Sequence, residues 1–117
     1  MLLVIDAGNT NLTLGVFRDA DLVIQWRLTT DRSRTSDEYG VQVRNLFELG
    51  GIDHKEIEAI AIASVVPSLD QTLRRMAEVY FELSPLFVDH ITDTGLKILY
   101  ETPSDVGADR IVDAVAA

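Results

Sequence analysis

MLLVIDAGNTNLTLGVFRDADLVIQWRLTT, residues 1–30, changes character three times, and strands joined by turns account for each change. Leu2 to Ile5 is a continuous apolar run that stops at Asp6-Ala7-Gly8, the pattern of a central strand buried on both faces. Beyond Gly8-Asn9-Thr10, Leu12, Leu14 and Val16 alternate with Thr13 and Gly15, which is the period of a strand. Phe17 to Asp21 reads as a tight reversal, and Leu22 to Thr30 as a third strand. Residues 1–30 are therefore expected to form a meander of two hairpins, with Leu2 to Ile5 in the middle of the sheet.

The pattern outward from this meander alternates helix and strand. Residues 31–37 are polar, and Ser36 is placed to cap a helix that carries Asp37 and Glu38 in its first turn. Val43, Leu46, Phe47 and Gly50 share one helical face, and Gly50-Gly51 ends the helix. Ile57 to Val66 is a second apolar run, predicted to lie parallel to the first because a helical crossover separates them. Pro67 opens a helix to about Leu83, with Leu69, Leu73, Met76, Ala77 and Tyr80 as its apolar stripe. Pro85 to Val88 reads as a short strand, and residues 89–106 as mostly loop with a strand at Leu96 to Tyr100. Asp105 to Ala117 starts a third helix that no Gly or Pro stops, so a longer protein is expected. The order of elements is that of an α/β ribonuclease H-like domain, with a mixed five-stranded sheet flanked by helices. Residues 1–117 are expected to form one such domain, and the actin, sugar-kinase and heat-shock ATPase folds carry two.

Composition narrows the function. The 117 residues carry 19 acidic and 10 basic side chains, a formal net charge of −9, which repels nucleic acid and anionic membranes. A local nest of backbone N–H groups with a magnesium ion still holds phosphate inside such a protein. There is no cysteine, so disulfides, thiolate metal sites and cysteine nucleophiles are excluded. The apolar opening is too short for a leader and lacks a basic flank, and no apolar run is long enough to cross a bilayer; a cytoplasmic location is expected.

Two constellations could carry chemistry. In Asp6-Ala7-Gly8-Asn9-Thr10, Gly8 permits a sharp turn, and the N–H groups and Thr10 hydroxyl that follow can face phosphate oxygens. Asp6 would accept from magnesium-bound water beside them. The competing reading is an ordinary hairpin turn in which Asp6 hydrogen-bonds its own loop. In Gly107-Ala108-Asp109-Arg110, Asp109 could act as a general base on a hydroxyl and Arg110 could grip an anion in a bidentate fork. The competing reading there is an Asp-Arg pair in the first turn of a helix. Arg27, Arg32 and Arg34 read as a solvated edge, and His54 and His90 as loop residues without metal-ligand spacing.

Four segments in order give these pieces a common source. DAGNTNLTLGVF (Asp6 to Phe17), SRTSDEYG (Ser33 to Gly40), SVVPSL (Ser64 to Leu69) and TGLKILYETPSDVGADRIVDAVAA (Thr94 to Ala117) together resemble type III pantothenate kinases. The resemblance implies transfer of the ATP γ-phosphoryl group to the terminal hydroxyl of pantothenate. It implies that Asp6, Ala7, Gly8, Asn9, Thr10, Asn11, Leu12 and Thr13 line the ATP phosphates, with Asp6 near magnesium. Tyr100 and Gly107, Ala108, Asp109 and Arg110 would contact pantothenate, and Asp109 would take the proton of its hydroxyl. Potassium or ammonium, bound outside this chain, and a homodimer are further implications.

The sequence departs from the family pattern in two respects. Family members are about twice as long, so a second domain is expected elsewhere. Asp113 stands where the family pattern ADRIVNA has asparagine, and its charge, one helical turn beyond Asp109, would raise the pKa of that base. Two other readings share the Asp6 loop: a kinase of the same superfamily acting on a sugar or acyl group, and a non-catalytic, transcription-activating paralogue.

Overall fold

The computed structural model describes residues 1–88 and the backbone of residues 90, 91, 98 and 99. Strands β1 (Leu2–Ala7), β2 (Asn11–Arg18) and β3 (Asp21–Thr29) form the expected meander. Helix α1 (Ser36–Leu49) crosses to β4 (Ala59–Ser64), and α2 (Pro67–Tyr80) crosses to β5 (Leu86–Val88). The five strands make one mixed sheet in the order β3-β2-β1-β4-β5, with β1 antiparallel to β2 and parallel to β4. Two further short strands, β6 (His90–Ile91) and β7 (Ile98–Leu99), pair with each other. The third helix expected from Asp105 lies outside the described residues.

The register separates the two faces of the sheet. Leu3, Ile5 and Ala7 on β1 stand opposite Val16, Leu14 and Leu12 on β2. All six are buried in one cluster with Tyr39, Val43 and Phe47 of α1 and Leu69, Leu73 and Met76 of α2. The other face holds Leu2, Val4, Phe17, Ala61, Ala63 and Val88, a smaller cluster with no helical residue among those described. An apolar residue at every position from 2 to 5 thus supplies both cores at once, which is why this run sits at the centre of the sheet and not at an edge.

Three boundaries differ from the expectation. The cap of α1 is Thr35, not Ser36: its hydroxyl accepts from the Glu38 N–H at 3.1 Å, and the Glu38 carboxylate accepts from the Thr35 N–H at 2.9 Å. This reciprocal pair satisfies two donors, which Ser36 could not do with glutamate two residues away. Strand β4 starts at Ala59 and not Ile57, because Asp53 caps a single 3-10 turn at His54–Glu56 whose last carbonyl-bonded N–H is that of Ile57. His54 belongs to that turn, with its ring edge-on to Phe81. Helix α2 ends at Tyr80, not near Leu83, since Glu82 takes a left-handed φ of 55° that no helix can continue.

The two helices pack closely through Gly40. A Cβ at this position would fall within the Tyr80 ring, so glycine lets α1 approach α2. The Tyr80 hydroxyl then donates to Asp37 at 3.0 Å, which pushes the tyrosine pKa above its usual value.

Candidate active site

Parallel strands β1 and β4 end side by side, with Ala7 opposite Ser64, and the chain leaves them in opposite directions across the sheet. In α/β sheets the crevice beyond the carboxyl ends of such a strand pair is where ligands bind. Asp6 sits at this end on the face away from the helices, in one cross-strand row with Thr13 on β2 and Ala63 on β4. Its side chain makes no hydrogen bond or ion pair to any described residue, although partial burial by the strand ends raises its pKa above the ordinary 3.8. The reading of Asp6 as the internal prop of its own turn therefore has no hydrogen bond behind it. An exposed carboxylate at the strand end with no partner among the described residues is instead suited to a cation.

The turn that follows is built to leave its tip open. The Gly8 N–H donates to the Asn11 carbonyl at 2.9 Å and closes the hairpin. Gly8 stands in this sharp turn without a left-handed φ; what it supplies there is clearance, because a Cβ would stand 3.2 Å from the Asn11 oxygen. The carbonyls on the inner side are tied down by Thr30, whose N–H donates to Thr10 at 2.9 Å and whose hydroxyl donates to Gly8 at 2.7 Å. The N–H groups of Asn9 and Thr10 donate to no described residue, and both side chains are exposed. Carbonyls turned inward and amides left free are what an anion needs.

Thr30 in turn is held from behind. The hydroxyl of the fully buried Tyr39 accepts from the Asp31 N–H at 2.9 Å and donates to the Asp31 carbonyl at 2.7 Å, clasping the backbone on both sides. The Asp31 carboxylate accepts from the Ser33 hydroxyl at 2.6 Å and the Ser33 N–H at 2.9 Å, and these two bonds depress its pKa. Arg34 reaches Gln42 at 3.2 Å and lies over the Tyr39 ring, while Arg32 donates to the Asn9 side-chain oxygen at 3.0 Å. Sequence reasoning treated these arginines as a solvated edge. Arg27 and Arg32 are exposed as expected, with Arg32 still touching the loop at Asn9, whereas Arg34 is partly buried against Tyr39 and Gln42 behind it. Nothing in the sequence period marks Thr30 or Tyr39 for this task, because their role comes from where β3 ends.

Ser64, on the neighbouring strand end, uses its hydroxyl on Val66, accepting from its N–H at 3.0 Å. Tyr100, Gly107, Ala108, Asp109, Arg110 and Asp113 lie outside the described residues. Among the described residues no group of three or more acidic, His or Cys side chains could cage a metal. Asp6 alone fits the other mode, in which magnesium keeps most of its water and takes one carboxylate plus the phosphates themselves. A concavity of about 430 Å³ lined by Met1, Arg18, Lys55 and Glu58 opens at the opposite end of β1 and takes no part in this site.

A family model for type III pantothenate kinase matches residues 2–117. The chain belongs to the type III pantothenate kinase family. A type III pantothenate kinase of Solibacter usitatus is 50% identical over 116 residues, covering 99% of this chain and 44% of the relative. One from Myxococcus xanthus is 51% identical over 117 residues, covering all of this chain and 46% of the relative. The chain thus spans less than half the length of the curated type III pantothenate kinases it matches. Among solved structures, a Porphyromonas gingivalis protein assigned as an N-acetylglucosamine kinase matches with a TM-score of 0.58 at 13% identity, over 78% of this chain and 35% of the other. That likeness supports the fold, an α/β domain with a mixed five-stranded sheet.

Proposed function

We propose that the protein is a pantothenate kinase, which transfers the γ-phosphoryl group of ATP to pantothenate and gives 4'-phosphopantothenate, the first step of coenzyme A synthesis. The observation that carries this beyond family membership is the pairing at the end of β1 of Asp6 with the amides of Asn9 and Thr10, none of which has a partner among the described residues. In this reading Asp6 to Thr13 cradle the ATP phosphates. Magnesium, held through Asp6, neutralises charge on the transferring group, which is most of what phosphoryl transfer asks of a protein. Tyr100, Gly107, Ala108 and Arg110 hold pantothenate, with Arg110 paired to its carboxylate. Asp109 accepts the proton of the terminal hydroxyl as the new O–P bond forms and the bond to the β-phosphate oxygen breaks, releasing ADP.

The proposal extends to the whole protein. Residues 1–117 form a single ribonuclease H-like domain, the N-terminal half of a two-domain enzyme. The potassium or ammonium ligand lies outside this chain. The enzyme is a cytoplasmic homodimer that engages neither nucleic acid nor membrane, and no helix among the described residues is long and apolar enough to cross one.

Titration of the full-length protein with pantothenate separates the readings, because a sugar or acyl kinase binds none. Asp109→Asn should abolish turnover and keep pantothenate affinity within about tenfold, or ~1.4 kcal/mol, since the amide still hydrogen-bonds the hydroxyl. Arg110→Ala should instead weaken pantothenate by ~2 kcal/mol, the worth of a charge-assisted contact, and leave ATP affinity alone. Pantothenate binding and turnover unchanged in both variants would refute the assignment; binding without turnover in the wild type would favour the regulator.

A further inference from the structure

Arg32 is the one cation among the described residues that touches the Asp6–Thr10 loop. Its guanidinium donates to the Asn9 side-chain oxygen at 3.0 Å, and no described carboxylate lies within ion-pair distance of it. Its backbone, moreover, is not free to wander. The preceding residue is clasped at both N–H and carbonyl by the buried Tyr39 hydroxyl, and the residue before that is bonded to Gly8 and Thr10. The side chain is therefore exposed while its attachment point is fixed against the loop.

We propose that Arg32 is a phosphate-binding residue, whose guanidinium leaves the Asn9 amide to hold a nucleotide phosphate at the Asp6–Thr10 loop. This rests on the reading of that loop as a phosphate cradle. Exchange of a neutral amide oxygen for a phosphate oxygen replaces an ordinary hydrogen bond with a charge-assisted one that can be bidentate. The exchange costs little rearrangement, because the tether at Asp31 stays in place and only the side chain moves. Asn9, relieved of its partner, is free to turn its amide to the ligand.

The test uses full-length wild type, R32Q and R32K, each titrated with ADP and with a non-hydrolysable ATP analogue, alongside melting of the ligand-free proteins. R32Q should weaken both nucleotides by about tenfold or more, and R32K should fall between. Ligand-free melting should stay within about 1 °C, as for a surface side chain. Unchanged affinities in R32Q would overturn the assignment. If wild type binds nucleotide and R32Q binds it equally well, only this inference falls; if wild type binds neither nucleotide, the cradle reading falls and takes Arg32 with it.

Discussion

Asp6 is exposed at the end of β1, and what burial its carboxylate has acts against its charge. Burial by the strand ends raises its carboxyl above 3.8, so the charged form is the one the folded state disfavours. For an acid shifted upward, the stabilising contribution is complete below the unfolded value and is lost as pH rises through the folded value. At neutral pH the ionised Asp6 therefore subtracts from stability. Asp6→Asn in the full-length protein should melt at or above wild type at pH 7, and the difference should shrink as pH falls toward the ordinary carboxylate range. A clear loss of stability at pH 7 would mean that the carboxylate supports the turn after all. At this scale the sequence was readable for Asp6 itself, because an acid closing a buried strand is a local signal. What Gly8 supplies was not readable, since clearance from Asn11 is set by the hairpin register and not by the residue's own dihedrals.

Helix α1 shows which element features are local. The Thr35-x-x-Glu38 pattern contains its own capping box, and Ser36 drew attention only because it stands next to the acidic turn. Thr35→Ala should cost ~1 kcal/mol in denaturant unfolding, and Ser36→Ala should stay within ~0.5 kcal/mol. The reverse order would restore Ser36 as the cap. Gly40 belongs to a contact between elements and cannot be read from either helix alone. Alanine there gains ~1 kcal/mol of helix propensity, yet its methyl collides with the Tyr80 ring, and overpacking of this kind costs ~1–3 kcal/mol. Gly40→Ala should therefore destabilise, and Gly40→Ala combined with Tyr80→Ala should cost less than the sum of the two. A stabilised Gly40→Ala single variant would show that the ring yields freely.

Across the molecule, the sheet order follows from two facts visible in residues 1–66: a three-strand meander and one helical crossover to a parallel strand. That order was legible because Leu2 to Ile5 is apolar at every position while β2 alternates. The contacts around the loop were not legible, because Thr30, Arg32 and Tyr39 meet the Gly8–Thr10 turn only after β3 and α1 have been laid down. The fold brings one half of the proposed chemistry together, namely the phosphate cradle. The acceptor half, from Tyr100 to Arg110, rests on family membership.

The most direct measurement of the whole account is pantothenate-dependent release of ADP from ATP by the full-length protein, compared between wild type and Asp6→Asn at saturating magnesium. Wild type should turn over only when pantothenate is present, and Asp6→Asn should lose several orders of magnitude in kcat while still binding pantothenate. Near wild-type turnover in Asp6→Asn, or no pantothenate-dependent ADP release by the wild type, would contradict it.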